Sequence, residues 1–170
     1  METREFKAII SKIMIENGFF KRQDSFYKKS NEIIFVVGLQ KSGYSKSYYV
    51  NIGYIIRQLH PEVEYPHYTQ GDVRARFGFR LSEDQETDIF NLEDRIENQS
   101  KHLERSIVSN IKDLIDPVEK NGMTWLLKKN PVMLYQTTKR AKEYLKLYIE
   151  FHSVAFKMLP KFFDIPKKKP

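Results

Sequence analysis

The segment IIFVVGLQKSGYSKSYYVNIGYIIR, residues 33–57, constrains the fold more than any other part of the chain. It holds two runs rich in β-branched and aromatic residues, joined by a connection far too short for a crossover helix, so the two strands must be antiparallel. A third run, DVRARFGFRL at 72–81, alternates strictly, and Phe26–Tyr27 before the turn KSNE supplies a fourth, shorter strand. Upstream, Phe6, Ile9, Ile10, Ile13 and Met14 recur at helical spacing and Gly18 follows as a stop, which predicts an amphipathic helix over 3–17. The expected class is therefore α+β: an N-terminal helix, an antiparallel meander of about four strands, then C-terminal helices packed on the sheet.

After the acidic connector SEDQETDIF the period changes to helical. Leu92, Ile96, Leu103, Ile107, Ile111, Leu114 and Ile115 predict a long helix N-capped by Asn91, bent or ended at Asp116–Pro117. TWLLKKN reads as a short helix closed by Asn130–Pro131, and Thr137 to about Met158 as the final long one. The expected organisation is a helix plus sheet over 1–81, a helical part of the same domain over 82–160, and a flexible basic tail over 161–170.

Net charge is +7, but its distribution matters more than its size. Residues 1–81, 82–156 and 157–170 carry +5, −2 and +4, so over half of the excess sits in the terminal FKMLPKFFDIPKKKP and the body is only mildly basic. Cys is absent, which excludes disulfide frameworks and thiolate zinc sites and fits a reducing compartment. No apolar run approaches a membrane span and METREFKAII lacks a signal-peptide core, so the expected location is the cytoplasm.

The connection QKSGYSK resembles a phosphate-binding loop only in composition. A Walker loop needs G-x-x-x-x-G-K-[ST] opening a helix, whereas Lys41-Ser42-Gly43 runs into a strand, so it reads as a hairpin turn. The strands themselves say more, because side chains alternate faces. One face collects Ile33, Phe35, Val37, Leu39, Tyr48, Val50, Ile52, Tyr54, Ile56, Val73, Ala75, Phe77, Phe79 and Leu81, and should pack on helices. The other carries Gly38, Gln40, Tyr49, Asn51, Gly53, Arg57, Arg74, Arg76, Gly78 and Arg80. Glycine weakens a strand unless something needs the room, so three of them could floor a shallow trough edged by guanidiniums. The competing structural reading is close approach of a helix, or strong sheet bending, with the arginines paired to helix acids.

No catalytic constellation is recognisable. His60, His67, His102 and His152 are scattered and none has metal-ligand spacing; His67 with Asp72 is a weak candidate for a general-base pair across the loop 58–71. His152 reads as a core residue, His102 as exposed, and Trp125 as an anchor of its short helix. Nothing calls for a cofactor or a resident metal, and binding is favoured over catalysis.

The stretch from Asn17 to Ile56 with DVRARFGF resembles the bacterial family known as domain of unknown function 4304. The resemblance rests on Gly18-Phe19 with Lys21, Phe26-Tyr27, Leu39-Gln40-Lys41-Ser42 with Ser45, Tyr49-Val50-Asn51-Ile52-Gly53 and Arg74-x-Arg76; it extends more loosely through DLIDPVEKNGMTWLL. The family pattern often has a histidine before the Arg-x-Arg strand, where this chain has Asp72. The resemblance implies a bacterial cytosolic setting and a fold, but no mechanism. Small bacterial α+β domains suggest, by analogy of fold, an interaction or immunity-type role.

The expected binding surface is Gln40, Tyr49, Asn51, Arg57, Arg74, Arg76 and Arg80, with an acidic protein as first candidate partner. Nucleic acid, stacking on Tyr49 and held by the lysine tail, is the alternative; an enzyme acting on an anionic small molecule through His67 and Asp72 is the third. The sequence leaves the oligomeric state open.

Overall fold

The computed structural model describes residues 1–80, 86–94 and 97–147. Helix α1, Thr3–Glu16, buries Phe6, Ile10, Ile13 and Met14. It ends in a Schellman motif: Gly18, at φ +83°, donates its amide to Ile15 and Phe19 donates to Met14, both at 3.0 Å. Phe19 and Met14, the hydrophobic pair of that motif, are both buried.

The chain then builds an antiparallel sheet from β1 (Phe20–Arg22), β2 (Ser25–Lys29), β3 (Ile33–Lys41), β4 (Ser47–Ile56) and β5 (Val73–Arg76), in that spatial order. The β3–β4 ladder runs from Ile33 opposite Ile56 to Lys41 opposite Tyr48, so the segment 42–46 is a hairpin connection, as its composition indicates. β1 is the outer edge; its three residues are exposed, with Lys21 directed over the Phe26 ring and Arg22 stacked 3.7 Å from the ring centre of Tyr65.

The predicted apolar face is the core. Phe35, Val37, Val50, Ile52, Tyr54, Val73 and Phe77 are fully buried against α1 and the C-terminal helices, with Phe6 stacked on Tyr48 at 4.8 Å. The Tyr54 hydroxyl donates to the Leu114 carbonyl at 2.9 Å, and burial pushes its phenol far above the ordinary range.

Two expectations are corrected here. The third alternating run is not one strand. β5 stops at Arg76, and Asn110 then grips the Gly78 backbone at two points, accepting its N–H at 2.9 Å and donating to its carbonyl at 2.7 Å. β6 (Phe79–Arg80) therefore leaves the sheet and pairs with β7 (Glu86–Thr87). The vacated edge of β4 is taken by β8 (Phe90–Asn91), with Phe90 opposite Tyr48. Asn91 is thus a strand residue and not a helix cap. Its side chain accepts from the Glu93 amide and donates to Asp94, a local turn that competes with helix formation.

Helix α2 (Gln99–Asn110) continues through a π-helical turn, Ile111–Ile115, into α3 (Asp116–Asn121). Pro117 lacks the amide that an α-helical ladder would use, and the ladder widens just before it while the chain stays helical. α4 (Met123–Lys129) closes at Asn130–Pro131 as expected, and α5 (Lys139–Tyr144) opens the last predicted helix, capped by the Thr138 hydroxyl. The helix stops at Tyr144 and Lys146 takes φ +52°, a left-handed turn that an α-helix cannot pass through, so the expected continuous helix from Thr137 to about Met158 is corrected to a short one; residues 148–170, with His152 and the basic tail, lie outside the described residues. Among the described residues no helix is long and apolar enough to cross a membrane.

Candidate functional site

The second face of the sheet is covered by neither helix nor solvent alone. The segment 57–72 folds back across it through two 3-10 turns, Arg57–Leu59 and Tyr68–Gln70. Tyr27, Ile34, Val36 and Ile55 form a small second apolar cluster there, with Tyr68 packed against it. Tyr68 also explains two of the glycines. Its ring fills the place of a Cβ on Gly38, and its backbone carbonyl does the same at Gly53. Gly78 lies against the Glu86 carboxylate. The three glycines therefore accept parts of this chain and do not floor one open trough.

Beyond Tyr68 a cleft of about 540 Å³ remains between the sheet and its loops. Gln40, Asn51, Arg74 and Arg76 from β3, β4 and β5 line it, joined by Thr69, Asp88 and Gln136 from connecting segments. Strand register sets the first four side by side: Asn51 pairs with Arg76, and Gly38, two residues before Gln40, pairs with Asn51. Asn51 is buried and bonded through both ends of its amide, donating to Gln40 Oε1 at 3.1 Å and accepting from Arg76 Nε at 3.1 Å. Arg76 is further held by Asp88 Oδ2 at 2.5 Å and lies 4.2 Å over the Tyr49 ring. Its acidic partner comes from the connector after β7, not from a helix.

Arg74 differs. It is exposed, and among the described residues it meets no carboxylate and donates no hydrogen bond. Two guanidiniums thus share one cleft, one committed to a network and one offering its full fork of donors.

The other predicted residues lie elsewhere. Arg57 follows the end of β4 and donates to the Ser30 carbonyl at 3.0 Å; Arg80 stands opposite Glu86 in the β6–β7 hairpin. Neither lines the cleft. His67 does not meet Asp72: its ring nitrogen accepts from the Thr69 amide and caps the 3-10 turn. Asp72 is buried and instead pairs with His60 Nε2 at 3.0 Å while accepting the Ile56 amide at 2.8 Å, which pins both ends of the covering segment. His102 is half-buried beside Phe90, with its Nε2 buried, where exposure was expected. Trp125 is 39% exposed with Lys129 beside its ring, so it does not anchor α4.

Tyr68, Thr69, Asp88 and Gln136 were missed by sequence reasoning. They come from irregular segments, where no periodicity assigns a face. Among the described residues no three His, Asp or Glu side chains are grouped closely enough to hold a metal ion.

The family described as Domain of unknown function (DUF4304) matches residues 10–126, which takes in the second half of α1, the whole sheet, α2, α3 and most of α4. The chain belongs to the DUF4304 family. The matched region of this DUF4304 domain includes every sheet residue of the cleft, while Gln136 lies beyond it. No curated protein and no solved structure matches the chain.

Proposed function

We propose that this DUF4304 domain is a non-catalytic binding module that receives an acidic group of a partner protein in the cleft beside Tyr68. The observation that carries the reading is Arg74, exposed at a concave site with no acid of its own among the described residues. A guanidinium in that position matches a carboxylate in two parallel hydrogen bonds. The neighbouring amides of Gln40 and Asn51 are ordered by Arg76, so the wall facing the incoming group is built before it arrives. Asp88, the carboxylate of the lining among the described residues, is taken up by Arg76, so it is not a spare base for proton transfer. Tyr49 is already stacked under Arg76, which weakens the reading in which it stacks on a nucleobase.

Fluorescence anisotropy with labelled Asp/Glu-rich peptides, run beside single-stranded RNA and DNA over a salt series, tests the proposal. Saturable peptide binding that Arg74→Glu abolishes, at an unchanged melting temperature, is the expected result. Binding of RNA or DNA without binding of the peptides transfers the assignment to nucleic acid. Peptide binding that survives Arg74→Glu removes the cleft from the account.

A further inference from the structure

On the opposite face of the sheet, near the same ends of β3 and β4, α1 and β1 border a separate open cavity of about 230 Å³. Phe26 and Leu39 give it an apolar part, and three exposed lysines line it: Lys7 from α1, Lys21 from β1 and Lys41 from β3. The carboxylate in the lining is Asp24, and among the described residues none of these four side chains forms an ion pair. Three lysines against one aspartate leave two positive charges bordering one small space. Lys28, by contrast, is matched by Glu119 at 2.7 Å.

Tyr48 supplies the second, independent observation. It lines the same cavity and is only 5% exposed, with its ring fixed by stacking on Phe6. Its hydroxyl nevertheless has no hydrogen-bond partner among the described residues, whereas the Tyr54 hydroxyl on the same strand and face donates to Leu114. The ring is held inside the protein while the hydroxyl itself stays accessible, for His102 Nε2, not this oxygen, is the buried side-chain atom left unpaired among the described residues; a fixed donor free beside excess positive charge suits an acceptor that carries negative charge.

We propose that this cavity binds a phosphate group. A dianion balances the two surplus charges, its oxygens accept from the lysines and from Tyr48, and the apolar part excludes water from one side of it. The volume falls below the usual range for whole small-molecule sites, which runs from about 300 Å³, so it suits a phosphate with a few attached atoms and not a nucleotide. The source is either free phosphate or the monoester of a small metabolite.

Isothermal titration of the full chain in chloride buffer with inorganic phosphate, glycerol 3-phosphate and acetate tests the site and separates the sources. Saturable binding of one or both phosphates, but not of acetate, is expected. Lys21→Ala with Lys41→Ala should abolish it, and Tyr48→Phe should weaken it about tenfold at an unchanged melting temperature. Arg74→Ala, which acts on the cleft of the other face, should leave it unaltered. Absence of saturable binding, equal binding of acetate, or a loss that follows Arg74 instead of the lysines overturns the proposal. The acidic-peptide reading of the cleft does not depend on the lysine or Tyr48 variants, so failure of the phosphate site leaves it standing.

Discussion

The carbonyl oxygen of Tyr68 sits where a Cβ on Gly53 would be, and the Tyr68 ring occupies the equivalent position at Gly38. The two glycines thus meet different parts of one residue, backbone at one and side chain at the other. Gly53→Ala should cost about 2–3 kcal/mol, because the carbonyl can retreat only by lifting the 3-10 turn from the sheet. Gly38→Ala should cost less, since a ring can rotate. Adding Tyr68→Ala should rescue most of the Gly38→Ala loss and little of the Gly53→Ala loss. Urea denaturation of the single and double variants measures both couplings.

Asp72→Ala should destabilise the protein by about 2–4 kcal/mol, because the buried Ile56 amide loses its acceptor and His60 its partner at once. His60→Ala should cost about 1 kcal/mol, since that ring is partly exposed. Equal losses for the two would contradict the double role assigned to the carboxylate.

The two guanidiniums of the cleft should separate in thermal melts. Arg74→Glu should stay within about 0.5 kcal/mol of wild type, as for a side chain without partners. Arg76→Glu should lose about 1–2 kcal/mol, most of it from stranding the buried Asn51 amide, because the pair with Asp88 is half exposed and screened.

Tyr54 makes stability pH-dependent on the alkaline side. Its folded phenol titrates far above the ordinary value near 10, so its contribution is complete below pH 10 and declines above it, where only the unfolded chain releases the proton. Wild type should therefore lose about 1.4 kcal/mol per pH unit above 10 relative to Tyr54→Phe. Denaturation of both proteins between pH 9 and 11 reads the difference, and parallel curves would refute it.

What was legible in the sequence was whatever repeats. Phe35, Val37, Val50, Ile52 and Tyr54 share the buried face because period two assigns it without knowledge of partners, and Gly18 ends α1 through a local motif. The same alternation placed Gln40, Asn51, Arg74 and Arg76 together, and they do line one cleft. It failed at Arg80, because Asn110, thirty-two residues beyond Gly78, diverts the strand two residues earlier. The helical reading failed at Asn91 because the pairing of Phe90 with Tyr48 is set by the edge that β6 leaves empty. His60 could not be preferred over His67 as the partner of Asp72, since only the path of the covering segment decides which imidazole arrives.

Among the described residues, the outer strand β1 leaves one row of backbone amides and carbonyls without a neighbour in the sheet. Such a rim would recruit a second copy, yet docking two of them side by side would press Lys21 and Arg22 against their own kind, while Arg22 and Tyr65 already engage each other. The chain thereby keeps an open border from becoming a seed for fibre growth, at the expense of holding cations close together in every molecule.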